Sequence, residues 1–240
     1  MLAQDGECEI AGVDGTAAEL KVDFLNPAGS KTGKLLPTGK TLDVLEIPGH
    51  GKIEATILDV SNPLVIVRAE DINMNGTELP DEVNNNKEAC DILEKIRGAA
   101  ACVMGFAKDL KDATNNSPAV PKVSFFTAPV AYTDIEGKNV KTESMDICAR
   151  VISVFKCHKA CPLTAASAIS VASKLDGSII QKTLGNISTD TVRIGHPSGV
   201  MTMVPTVIKH GDDMTKTEVP GVAVQRTARR IMEGTLFVRN

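Results

Sequence analysis

Aromatic residues are nearly missing from this chain: they make up 3% of 240 residues, with no Trp and one Tyr. A core without large rings has to be filled by Val, Ile, Leu, Ala and Met through many small contacts. No apolar run approaches the roughly 18 residues that a membrane span needs, so no membrane partner is expected. The opening "MLAQDGECEI" has neither the basic stretch nor the apolar segment of a signal peptide. Six cysteines (Cys8, Cys90, Cys102, Cys148, Cys157 and Cys161) are too few for a disulfide scaffold. These absences predict reduced thiols and a cytoplasmic protein. An excess of positive charge is absent too. The formal net charge is −4, which argues against general nucleic-acid binding and leaves only a local basic cluster to recruit an anion.

What remains is ordinary globular material, 42% apolar and 23% charged, long enough to bury a sizeable core. "ELKVDFL", "HGKIEATILDV", "PLVIVRA", "KVSFFTA", "SMDICARVISVF", "SIIQKTL", "TVRIG", "GVMTMVPTVI" and "GVAVQRTARRIMEGTLFV" read as strands, as does part of "KLLPTGKTLDVL". "KEACDILEKIRGAAACVMGFA" is an amphipathic helix, its apolar face formed by Ala89, Ile92, Leu93, Ile96, Ala100, Val103 and Met104. Residues 71–86 and 108–121 read as polar loops. The segment after Pro162 is different: its Ala, Ser and β-branched residues predict a helix that neighbours approach from every side, enclosed by a sheet. Strands do not alternate with helices, so the expected class is α+β: a mostly antiparallel curled sheet or open barrel wrapped around a central helix.

The candidate chemistry lies at that helix's start and in one turn. Arg150, Lys156, His158 and Lys159 are expected to converge on the helix N-terminus, whose unpaired N–H groups and dipole favour a carboxylate. Cys161 at a helix start would have a lowered pKa. Cys157, His158 and Cys161 could supply metal ligands, but no second cluster completes a site, so no metal is assigned. "GHPSG", residues 195–199, has the wrong order and the wrong following element for a nucleophile elbow; paired glycines around Pro-Ser instead suit an anion-binding nest. "GSKTGKLLPTG" has a similar character without being a P-loop. Arg226 and Arg230 would share one face of a strand, as a solvated row.

Five segments, "DFLNPAGSKTGKLLPTG", "DVSNPLVIVRA", "ARVISVFKCHKACPLTAA", "IGHPSG" and "VQRTARRIMEG", occur in the order in which the PrpF family carries them. The chain resembles that family, which includes methylitaconate, aconitate and oxalomesaconate isomerases, from about Gly12 to Val238. The resemblance implies a diaminopimelate-epimerase-like fold of two lobes with substrate between them. It also implies cofactor-free proton transfer that shifts a double bond in a small unsaturated di- or tricarboxylate. It assigns catalysis to Lys159, Ser198 and Cys161, and substrate binding to Lys34, Thr38, His158, Thr164, Gly195, His196, Pro197 and Gly199. Residues 1–240 would be a single domain matching the C-terminal part of the family, with the N-terminal lobe missing. The Gly-Gly-Thr-Ser-Lys-type and Asn-Cys-Gly-Asn-type segments of that lobe do not occur here. The chain is then expected to be weakly active alone, and a first-lobe chain or a second copy is the candidate partner. The alternative is a non-catalytic split product that acts as a binding module.

Overall fold

A computed structural model describes residues 5–238. Five strands lead in: β1 (Cys8–Glu9) pairs with β2 (Thr16–Ala17), and β3 (Glu19–Leu25), β4 (Asp43–Ile47) and β5 (Gly51–Val60) follow. Next come β6 (Asn62–Arg68), α1 (Pro80–Asn85), α2 (Lys87–Val103), α3 (Leu110–Asn116) and β7 (Lys122–Thr127). The small pair β8 (Tyr132–Thr133) and β9 (Asn139–Val140) precedes β10 (Ile147–Ser153) and β11 (Lys156–Cys157). The chain closes with α4 (Leu163–Ala172), α5 (Ile179–Leu184), β12 (Val192–His196), β13 (Gly199–Ile208) and β14 (Glu218–Thr227).

Ten strands form one sheet in the order β3-β14-β13-β12-β10-β7-β6-β5-β4, with β11 hanging on β10. It is mixed: β6 pairs with β7 and β10 with β12 in parallel, and the rest are antiparallel. Helix α4 touches both β13 and β5, which stand five strands apart in that order. Eight of the ten α4 residues are buried. Its buried serines stay satisfied locally, with Ser167 and Ser170 donating to the carbonyls of Leu163 and Ser167, and Ser173 to that of Ser170. The opposite sheet face carries a second core under α2.

Several elements depart from expectation. The α2 face buries Ala89, Ile92, Leu93, Ile96 and Ala100 as predicted, but Val103 is exposed. "SIIQKTL" is helix α5, not a strand: the Ser178 side chain accepts from the Gln181 N–H and caps it. The two polar loops each contain a helix. α1 starts on Pro80 with the Glu82 carboxylate accepting the Leu79 N–H, and α3 starts on the Asp109 cap. Among the described residues no strand follows Thr227, so Arg226 and Arg230 share no strand face. The six cysteines are free thiols, and no described helix is long and apolar enough to cross a membrane.

Candidate functional site

Helix α4 begins without a side-chain cap. Its N-cap is Pro162, and the first amide bonded within the helix is that of Ala166, to the Pro162 carbonyl. The N–H groups of its first turn therefore keep their positive end free. Pro162, Leu163 and Thr164 are half-buried, Lys159 is exposed and Cys161 is buried.

The 195–199 turn meets this helix approach directly. The Ser198 hydroxyl donates to the Lys159 carbonyl, so the two candidate elements lie side by side. The turn itself is buried from Gly195 to Gly199, and its glycines are there for packing. A Cβ on Gly195 would lie 2.5 Å from the Met145 sulfur; one on Gly199, at φ 122°, would lie 2.8 Å from the Ala11 Cβ. The Tyr132 hydroxyl lies 2.6 and 2.7 Å from the carbonyls of His196 and Gly199, and the Pro197 carbonyl accepts the Ile135 N–H. The Ser198 N–H donates to His196 Nδ1 at 3.2 Å. Two donors expected to hold an anion, the Ser198 amide and hydroxyl, are thus spent inside the protein.

His196 is buried and its pKa is pushed down to about 4, first by burial and then by the charges of Arg150 and Arg226. Burial and the nearby Lys122 lower the pKa of half-buried His158. Both imidazoles are neutral near pH 7. Cys161 contradicts the expected activated thiol: burial pushes its pKa up to about 12, and the charge of Arg150 offsets this only in part. A thiol so placed stays protonated in neutral water. Cys157 is likewise pushed up to about 12, and no described group of three His, Cys, Asp or Glu side chains could hold a metal.

Arg150 does not point to the helix start. Alternation along β10 puts Ile147, Ala149 and Val151 against α4, and Arg150 with Cys148 on the other face. It is fully buried, with its guanidinium 5.0 Å from the Tyr132 ring centroid. It donates to the carbonyls of Glu78 and Ala149 at 2.6 and 2.9 Å, and its Nη2 has no acceptor among the described residues. Lys156 is exposed on β11.

The Lys34 region is separate. Lys34 lines a hollow of about 760 Å³ with Asn26, Leu36, Thr217 and Pro220, while Ser198 and Gly199 line another of about 430 Å³; the two share no residue. Thr38 is engaged with Asp43 at 2.8 Å. The turn before Lys34 is organised by Asp59, a buried residue that sequence reasoning missed. Its carboxylate accepts from Ser30 Oγ, the Lys31 and Thr32 amides, and Thr32 Oγ1, at 2.7 to 3.0 Å. Arg226, expected in a solvated row, departs from that expectation. It is half-buried beside His196, and no sequence pattern distinguishes it from a solvated strand charge.

The family model described as PrpF protein matches residues 1–239. The chain is 40% identical to the 3-methylitaconate isomerase of Eubacterium barkeri, over 97% of this chain and 60% of that protein. It is 35% identical to the 2-methyl-aconitate isomerase of Shewanella oneidensis, over 98% of this chain and 59% of that one. A crystal structure of methylitaconate-delta-isomerase superposes with a TM-score of 0.86 at 40% identity, covering 97% of this chain and 58% of the other. The chain spans about 60% of the length of the curated relatives it matches.

Proposed function

The chain belongs to the PrpF family, and from that premise we propose that it is the substrate-gripping part of a cofactor-independent isomerase of the cytoplasm. Its substrate is a small unsaturated di- or tricarboxylate, in which proton removal at one allylic carbon and return at the other shift the double bond. The curled sheet around α4 is one lobe of a diaminopimelate-epimerase-like pair.

One observation carries this reading: an uncapped helix start and a buried turn are joined by the Ser198–Lys159 hydrogen bond, with neutral histidines and an unpaired arginine around them. Proton abstraction adds negative charge to an already anionic substrate, so fixed donors must await it. The α4 amides, Lys159 and Thr164 supply them on one side. His158, unprotonated at neutral pH, is a proton acceptor within the same approach. Ser198 acts by holding Lys159 in place, and the Gly195–Gly199 turn with Pro197 shapes the wall. Lys34 serves from a separate hollow, through a contact that substrate closure would have to bring in. The lysine and cysteine that the family resemblance assigns to acid–base work lie in first-lobe segments absent from this sequence.

Proton NMR in D2O tests this with 3-methylitaconate. The chain alone incorporates deuterium at a marginal rate, and adding a separately made first lobe raises it by orders of magnitude. Fast exchange by the chain alone would refute the division of labour. Binding without exchange in the mixture would favour a binding module, or a self-association role for a second copy.

A further inference from the structure

Among the described residues, the arginines that are at least partly buried fall into two groups. Arg68, Arg97 and Arg193 each meet a carboxylate, at 2.7, 2.6 and 2.7 Å. Arg150 and Arg226 meet none, and both act on His196. Arg150 is sealed under Tyr132, with only neutral acceptors. Arg226 is not sealed. Its one hydrogen bond goes to the Gln225 carbonyl at 3.0 Å, and it lines a hollow of about 80 Å³ with His196, Thr202 and Gln225. Taking a guanidinium partly out of water without a counter-ion is costly, and its planar fork matches a carboxylate.

The neighbouring imidazole supports the same ligand. His196 Nδ1 accepts the Ser198 N–H, so the proton of the neutral ring sits on Nε2, where no described residue accepts it. The Glu9 carboxylate lines the hollow as well, without forming an ion pair with Arg226. A space this small admits a single acid group and excludes a nucleotide or a sugar.

The geometry points to this hollow as a subsite for one carboxylate of a small ligand, with Arg226 as its ion-pair partner and His196 Nε2–H as its second donor. The choice of ligand rests on the isomerase reading, but the subsite needs no turnover to be observed.

Itaconate, an unsaturated dicarboxylate, is titrated into the full chain by calorimetry while the His196 ring resonances are followed by NMR. The expected result is binding that shifts those resonances. Arg226→Gln should weaken binding at least tenfold and remove the shift, while Arg229→Gln, exposed and beyond β14, changes affinity less than twofold. Glu9→Gln should tighten binding, because a competing carboxylate is gone. If Arg226→Gln does not fold, as judged by thermal unfolding, Arg226→Lys carries the test with a smaller loss. The subsite is overturned by undiminished affinity in the Arg226 variants, by binding that leaves His196 undisturbed, or by no itaconate binding at millimolar concentration. Binding with these signatures but without any double-bond shift supports the subsite and counts against the isomerase reading alone. Turnover and affinity untouched by Arg226→Gln do the reverse.

Discussion

Two glycine-flanked turns of this protein look alike in sequence and differ in what fills them. The 29–34 turn gathers amides and hydroxyls around an anion, but the anion is the chain's own Asp59. The 195–199 turn clasps no protein carboxylate with its own donors; around it stand two arginines that form no ion pair, a neutral histidine and an uncapped helix, with Asp134 and Glu9 nearby. A nest that already holds a protein carboxylate is a structural clasp. A site whose two arginines form no ion pair, although Asp134 and Glu9 stand near, is one that can take a ligand's acid group.

Removing the clasp has the largest expected effect. Asp59→Ala strips the acceptor from four donors and should cost about 4 kcal/mol, read from urea unfolding. A loss below about 1 kcal/mol would mean that water replaces the carboxylate and that the turn is no clasp.

The second turn shows its electrostatics through pH. His196 faces Arg150 on β10, Arg226 on β14, Tyr132 on β8, Asp134 just after it, and Glu9 across the hollow. Unfolded, the ring titrates near 6.5; folded, near 4. Between those values the unfolded chain binds the extra proton. The stabilisation is therefore complete above pH 6.5 and is lost as pH falls toward 4, by about 3 kcal/mol. In His196→Gln this part of the pH profile flattens, and an unchanged slope would put the burial of the ring in doubt.

Much of the fold could be read in the sequence where side-chain period and burial agree. The strands Glu19–Leu25 and Gly199–Ile208 have the predicted bounds, and the small residues after Pro162 do form the enclosed helix. α1 and α3 were missed because six or seven mostly polar residues carry no apolar period, and α5 because its Ile-Ile run reads as a strand; only caps, such as Ser178 with Gln181, signalled them. The site was legible as a neighbourhood, since Ser198 does meet Lys159. The balance of charge within it was not legible. Asp59 fills a turn 27 to 29 residues away, and whether Arg226 has a partner is a property of packing alone.

Smaller effects sharpen the contrast. Ser198→Ala removes the tie to the Lys159 carbonyl and should cost about 1 kcal/mol in unfolding. It should also lower any carboxylate affinity severalfold, because the helix approach loosens. If affinity is unchanged, the tie does not position Lys159. The smallest effect belongs to Cys161. As a buried thiol with a pKa near 12, it should resist iodoacetamide at pH 7.5 while half-buried Cys8 is alkylated, and Cys161→Ala should leave carboxylate binding within twofold. Rapid labelling of Cys161 in the folded chain would restore it as an activated thiol.

The contrast between the two turns is tested most directly by amide NMR of the labelled chain during an itaconate titration. The account predicts that the amide resonances of residues 158–161, 163–164, 195–196 and 198–199 move with saturation, while the Lys31 and Thr32 amides, held by Asp59, stay fixed. Movement confined to Lys31 and Thr32, with a silent 195–199 turn, would contradict it.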